Sequence, residues 1–192
     1  MILLSAHRDK VKTEYRFEYK NGKFTGLLDN AIGEYLISDL VISDTSMRKL
    51  EKRGDIGLFY GQGEEFSLMD DFPKLSKTDI VVVVDVASGD RYNGYDFSVE
   101  NISGFTKEEI VEVKKNFEWE GFNVSVRKFD GTPDDEDEAW QWKELGYKAL
   151  SFIVPIQDGS KKTGWHVDDC TVSIEVISKA KDGLKRLLSY IL

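Results

Sequence analysis

The sequence predicts an α/β protein in which helices are layered on a β-sheet. Short apolar runs bounded by turn residues alternate with segments of helical period along the 192 residues, and this alternation is typical of sheets covered by helices. A second observation is the run Ile80–Val84, five consecutive apolar residues that are typical of a strand buried on both faces. No linker divides the chain, so we expect a single domain over residues 1–192.

The first half of the chain is predicted to contain mostly strands. Asn21-Gly22 between two β-like runs is a typical hairpin turn, and apolar alternation indicates the other strands. In order, the predicted elements are a strand over Ile2–Ala6, a hairpin over Tyr15–Phe24, a helix over Ala31–Ile42, and strands over Ile56–Tyr60 and Ile80–Val86.

The second half is predicted to alternate helices and strands. Thr106 and Glu109 form a capping box that begins a helix extending to about Glu120, and Gly146 is a typical helix stop. The acidic run Asp134–Glu138 is interpreted as a solvated loop or helix start. The remaining elements are a strand over Phe122–Phe129, a helix over Glu136–Leu145, a strand over Ala149–Ile156 and an amphipathic helix from Val176 to Ile191.

Charge and composition exclude several classes of protein. The chain carries 26 Lys and Arg against 35 Asp and Glu, a net charge of −9, and it has no basic stripe, so nucleic acid and anionic membranes are not expected partners. A single cysteine, Cys170, and the absence of a signal peptide or an apolar membrane span favour a cytoplasmic protein. Only two histidines occur, His7 and His166.

Polar residues follow the predicted strands at the points where they end, which is where α/β sheets usually carry function. Each has an ordinary alternative: a lone histidine is often a surface residue, Asp29 could cap its helix, and Glu64-Glu65 is unremarkable in an acidic chain. Asp85 is harder to dismiss, since a carboxylate among valines must be paired, hydrogen-bonded or metal-bound. Together they supply the nitrogen and carboxylate ligands that zinc prefers. The set is His7-Arg8-Asp9, Asp29-Asn30, Glu64-Glu65, Asp85 and His166.

In this order the five elements resemble the co-catalytic di-zinc exopeptidases, the superfamily of zinc aminopeptidases, carboxypeptidases and amino-acid deacylases. The match runs from Leu3 to Leu192 and is similar to the compact single-domain aminopeptidase branch, without a lid or dimerisation insert. The resemblance implies a three-layer α/β/α fold with a mixed, mostly parallel central sheet. It also implies a metal-dependent hydrolase with two divalent metal ions, expected to be Zn²⁺, acting on a small peptide or an aminoacyl amide.

The resemblance also implies roles for individual residues. His7 and Asp85 would hold one metal, Glu65 and His166 the other, and Asp29 would bridge both. Asp9 would orient His7 through a hydrogen bond to its free ring nitrogen. Glu64 would be the general base. The family pattern further implies a cis peptide bond between Asp29 and Asn30.

Two departures from the family pattern and one neighbouring residue leave alternatives open. Arg8 stands where the family usually has an apolar or small residue, and a pocket-facing Arg8 would favour a deacylase or carboxypeptidase that binds a substrate carboxylate. Trp165, beside His166, either packs in the core or lines a pocket. The strands and helix that usually precede the His-x-Asp strand do not occur, so a pocket edge is either missing or supplied by a partner subunit in a homo-oligomer. A non-catalytic relative retained for binding is the remaining alternative.

Overall fold

A computed structural model describes residues 1–7, 17–26, 28–61, 73–88, 92–128, 138–157 and 170–192, with the side chains of His7, Phe17, Asp29 and Asn30 left aside. Nine strands and five helices are interspersed in these ranges. In chain order they are β1 (Ile2–His7), β2 (Phe17–Lys20), β3 (Lys23–Gly26), α1 (Asp29–Ser43), α2 (Thr45–Arg53), β4 (Ile56–Gly61), β5 (Ile80–Ala87), β6 (Phe97–Ser103), α3 (Lys107–Trp119), β7 (Val124–Lys128), α4 (Glu138–Glu144), β8 (Lys148–Pro155), β9 (Cys170–Ser173) and α5 (Ile174–Ile191).

The main sheet has six strands in the order β4-β1-β5-β8-β6-β7. Strands β4, β1, β5 and β8 are mutually parallel, β6 is antiparallel to β8, and β7 is parallel to β6. A second sheet of three antiparallel strands has the order β2-β3-β9. The carboxyl ends of four neighbouring parallel strands therefore meet at one edge of the main sheet, and the predicted mixed, mostly parallel sheet is confirmed.

Helices cover both faces of the main sheet, in three layers, but unequally. Alternate residues of a strand point to opposite faces. On what we call the first face, Leu4, Val82, Phe152 and Phe97 join one large apolar cluster with α1, α2, α3 and α5. On the second face, in the described residues, a smaller cluster joins Leu3, Val83 and Ala149 to Trp142 of α4. Most of the apolar core thus lies on the first face.

Every element predicted from periodicity has a counterpart among the described residues, whereas the predicted ends at Tyr15, Phe129 and Glu136 lie outside them. The turn at Asn21 and Gly22 has φ values of 52° and 76°, as a hairpin turn of this kind requires. The capping box is formed, since Thr106 accepts from the Glu109 amide and Glu109 accepts from the Thr106 amide. Three elements were not predicted: α2, β6 and β9. Within the described ranges, no helix combines the length and apolar character needed to cross a membrane.

The acidic run Asp134–Glu138 was interpreted as a solvated loop or a helix start. Glu138 begins α4, which confirms the helix start, but its side chain is only 1% exposed, so the expected solvation is wrong for this residue. It shares the buried side of that helix with Ala139 and Trp142. The rest of the run, 134–137, lies outside the described residues.

Candidate active site

The carboxyl end of β1 places His7 at the sheet edge where function was predicted. His7 is the last residue of β1 and is the register partner of Gly61, the last residue of β4. Glu64 and Glu65 follow Gly61 by three and four residues and lie outside the described part of the chain. Neighbouring strands lie about 4.8 Å apart. The chain therefore passes beside His7 immediately before it reaches the two predicted glutamates.

Asp85 lies near the end of the neighbouring strand β5. Ser5 of β1 pairs with Val83 of β5, so Asp85 and His7 each stand two residues beyond a paired position. The valines from 81 to 84 are at most 1% exposed, which confirms the buried strand. Asp85 itself is half-buried, so it is less enclosed than the sequence indicated. Its Oδ1 accepts a hydrogen bond of 2.7 Å from the Val86 amide.

The first helix brings Asp29 to the same edge. Asp29 is the first residue of α1, and Leu28 occupies the N-cap position without a side-chain cap bond. The alternative in which Asp29 caps the helix is therefore wrong. Gly33, one turn further on, lies so close to β5 that a Cβ atom there would stand 2.3 Å from the Val84 carbonyl oxygen and 3.3 Å from Cβ of Ala6. Because α1 approaches β5 so closely at Gly33, the helix begins beside the ends of β1 and β5.

The expected cis peptide bond is not present. Asp29 and Asn30 form the start of α1, and the described residues contain no cis peptide bond. That prediction came from the resemblance alone and is wrong.

The remaining predicted site residues lie outside the described ranges: Arg8, Asp9, Glu64, Glu65, Trp165 and His166. His166 was expected between the last predicted strand and the last helix, and an additional strand, β9, begins four residues after it. Among the described side chains, no group of three His, Cys, Asp or Glu residues is placed to hold a metal ion. The structure thus brings together the chain positions of His7, Asp29 and Asp85, and it leaves the other predicted roles as predictions.

Two buried carboxylates on the second face were not predicted as functional. Glu138 Oε1 accepts from Ser5 Oγ and, at 3.0 Å, from Trp142 Nε1. Glu100, 4% exposed, accepts from Ser98 Oγ at 2.6 Å and from the Arg127 guanidinium. The alternation of Phe97 and Val99 with Ser98 and Glu100 was the available signal for the second residue.

This architecture, with its six-stranded mixed sheet between helical layers, is the zinc exopeptidase-like fold that the sequence predicts, and solved aminopeptidases share it. The TET1 peptidase of Pyrococcus horikoshii matches with a TM-score of 0.58 and 17% identity, over 91% of this chain and 52% of that chain. An M18-family aminopeptidase from Thermotoga maritima matches with a TM-score of 0.58 and 15% identity, over 87% of this chain and 46% of that chain. No family model and no curated protein matches the sequence.

A third match shows that this fold alone does not determine function. An endoglucanase from Thermotoga maritima has a TM-score of 0.55 and 12% identity, over 92% of this chain and 53% of that chain. Proteins named for different chemistries thus share this fold, and function has to be argued from the site. The chain also spans about half the length of the structures it matches.

The described residues fit a metal site in the kind of donor they supply. A histidine ends β1, an aspartate begins α1 and a half-buried aspartate lies near the end of β5, all at one edge of the sheet. Imidazole and carboxylate are ligands that zinc prefers. The donor set of one metal is therefore of the right chemistry and comes from three neighbouring elements.

Proposed function

We propose that this chain is a zinc-dependent, aminopeptidase-like hydrolase that cleaves the N-terminal residue of a small peptide or an aminoacyl amide. The observation that carries the proposal is the convergence of His7, Asp29 and Asp85 at the carboxyl edge of the parallel strands. That edge is the usual place for ligands in open α/β sheets.

The proposed roles follow the sequence pattern. His7 and Asp85 would hold one zinc ion, with Asp29 bridging to a second ion held by Glu65 and His166. When bound, two such ions lower the pKa of a shared water and polarise the scissile carbonyl.

The other residues move or hold protons. Glu64 would take a proton from the attacking water and deliver it to the leaving amine. Asp9 would accept a hydrogen bond from His7 and so fix its tautomer.

Metal analysis together with a hydrolysis assay tests the proposal. Zinc-loaded protein should bind about two ions per chain and release the amine from aminoacyl amides and p-nitroanilides. Glu64→Ala should keep both ions but lose at least about 100-fold in kcat, whereas Asp85→Ala should lose metal. Glu118→Ala, on the exposed side of α3, is the matched control and should behave as wild type.

Two results would contradict the proposal. One is an absence of bound metal after zinc loading. The other is unchanged hydrolysis in Glu64→Ala. A preference for N-blocked over free N-terminal substrates would instead indicate the deacylase or carboxypeptidase chemistry that Arg8 left open.

A non-catalytic role is the second candidate, and one observation favours it. The chain spans about half the length of the structures it matches, so an activity that depends on the other half of such a protein would be absent. Stoichiometric zinc binding without hydrolysis of any aminoacyl or peptide substrate would support this alternative.

A further inference from the structure

The second face of the sheet contains a row of buried polar residues. Ser5 pairs with Val83, Val83 with Ser151, and Ser151 with Glu100, so these four positions cross four strands in register. The two serines are fully buried and Glu100 is 4% exposed. Burying polar groups costs free energy unless they are hydrogen-bonded. An apolar row, as on the first face, would have avoided that cost.

Glu138 is the carboxylate that covers one end of this row. It is 1% exposed and its Oε1 accepts hydrogen bonds from Ser5 Oγ below it and from Trp142 Nε1 one turn along α4. These two hydrogen bonds fix the position of the Glu138 carboxyl group. Since Trp142 is fully buried against Phe59 and Tyr147, the position of Glu138 is held from the helix side as well.

The row lies directly beneath the candidate metal site. Ser5 precedes His7 by two residues, or roughly 6.6 Å along a strand, and its register partner Val83 precedes Asp85 by the same step. Glu138 therefore places a buried carboxylate one row below the two proposed ligands of the first metal. In the protein interior, a charge acts more strongly over such a distance than in water.

We propose that Glu138 is a positioning residue of the metal site: through Ser5 it holds the end of β1, and its charge favours a cation at His7 and Asp85. This inference rests on the proposed function. It concerns a residue outside the predicted ligand set, and its effect should appear in metal affinity independently of turnover.

Cobalt titration of the full chain tests the inference. The metal-free protein would be titrated with Co²⁺, following the visible absorption bands, and Zn²⁺ affinity would be measured by competition with a chromophoric chelator. Glu138→Gln keeps an acceptor for Ser5 but removes the charge, and Ser5→Ala keeps the charge but removes the bond. We expect each to weaken metal binding about tenfold and to shift the cobalt bands.

Glu100→Gln is the matched control. Glu100 is a buried carboxylate on the same face, also bonded by a serine, but on β6, three strands from β1 in the sheet. It should leave metal affinity within about twofold of wild type. Urea unfolding of every variant separates loss of stability from loss of affinity, and Ser5→Ala provides the answer if Glu138→Gln does not fold.

The outcomes separate the two proposals. If the wild-type chain binds metal and both Ser5→Ala and Glu138→Gln bind it with the same affinity, the role of Glu138 is overturned but the proposed function is not. Equal weakening in Glu100→Gln also overturns it, because the effect would then be general to buried carboxylates. Failure of the wild-type chain to bind Co²⁺ or Zn²⁺ overturns the proposed function, and this inference with it.

Discussion

Gly33 offers the sharpest test of how the fold builds the candidate site. Replacing glycine by alanine inside a helix ordinarily stabilises it by about 1 kcal/mol. Here the new Cβ would stand 2.3 Å from the Val84 carbonyl oxygen, about 1 Å short of the 3.4 Å at which ordinary contact begins. The carbonyl oxygen belongs to the backbone of β5, and the new Cβ would be bonded directly to the backbone of α1. Neither group can rotate away, so α1 must move away from β5. Overpacking of this kind costs about 1–3 kcal/mol, so Gly33→Ala should destabilise the protein.

A contact of 2.3 Å belongs at the upper end of that range, about 2–3 kcal/mol. After the helix gain the expected net loss is about 1–2 kcal/mol, which would lower Tm by about 2–8 °C in a chain of this size. Urea unfolding followed by tryptophan fluorescence measures the loss. Gly183→Ala is the control, because its Cβ would meet Phe97 Cε1 at 2.2 Å and so disturbs α5 where it packs on β6, which lies three strands from β1 in the sheet. Both should lose stability, but only Gly33→Ala, one turn from Asp29, should also weaken zinc binding. A stabilised Gly33→Ala would refute the packing argument, and equal zinc affinities in the two variants would refute its link to the site.

Two further predictions concern ion pairs. Arg127→Met leaves the buried Glu100 carboxylate without its guanidinium and should cost about 3 kcal/mol in urea unfolding; the double variant with Glu100→Gln should recover most of it, and no recovery would contradict the pairing. The hydrogen bond from Lys185, with the amides that Asp44 caps in α2, holds the pKa of Asp44 below its ordinary value. The ionised Asp44 side chain therefore contributes fully to the free energy of unfolding above the unfolded pKa of about 4. This contribution disappears as the pH falls through the lower pKa of the folded state. Asp44→Asn should be less stable by about 1 kcal/mol at pH 7 and should converge with wild type as the pH falls towards 2, whereas a pH-independent difference would contradict the linkage.

Where periodicity was strong, the elements could be predicted from residues alone. The apolar valines of β5, the capping box of α3 and the stripe of α5 each carry local signals that agree with their surroundings in the fold. The three missed elements lack such agreement. β6 contains Ser98, Glu100 and Asn101, a polar stretch that does not indicate a buried strand. Glu100 is accommodated there because it accepts hydrogen bonds from Tyr92, Ser98 and Arg127, of which Tyr92 and Arg127 lie outside β6.

β9 and α2 were missed for a different reason. β9 has only four residues, and its pairing partner β3 lies far away in sequence, so no local pattern identifies it. α2 is short and strongly charged, and its start depends on Asp44, which serves at once as the C-cap of α1 and the N-cap of α2. A prediction that reads one helix at a time assigns Asp44 to the turn and misses the second helix.

The candidate site could be predicted as a set of strand-end residues, because the carboxyl edge of parallel strands follows from topology. His7 and Asp85 illustrate this, since register alone places them on adjacent strands at one level. Glu138 illustrates the opposite case. Its acidic neighbours in sequence indicate solvent, and only the packing of α4 over β1 shows a buried carboxylate.

The two faces of the sheet differ in a way that bears on function. The first face is covered by α1, α2, α3 and α5 and is almost entirely apolar, so it accounts for most of the hydrophobic stabilisation. On the second face, within the described residues, the one covering helix is α4, with seven residues, and carboxylates and serines replace apolar side chains under it. Sequences depart from apolar packing chiefly at functional or strained sites. His7 and Asp85 occupy positions of β1 and β5 that alternate onto this second face, so these two proposed ligands share a side with the polar row, whereas Asp29 begins α1, which covers the first face. A hydrolytic site at the carboxyl edge of the second face would explain why stability is concentrated on the first.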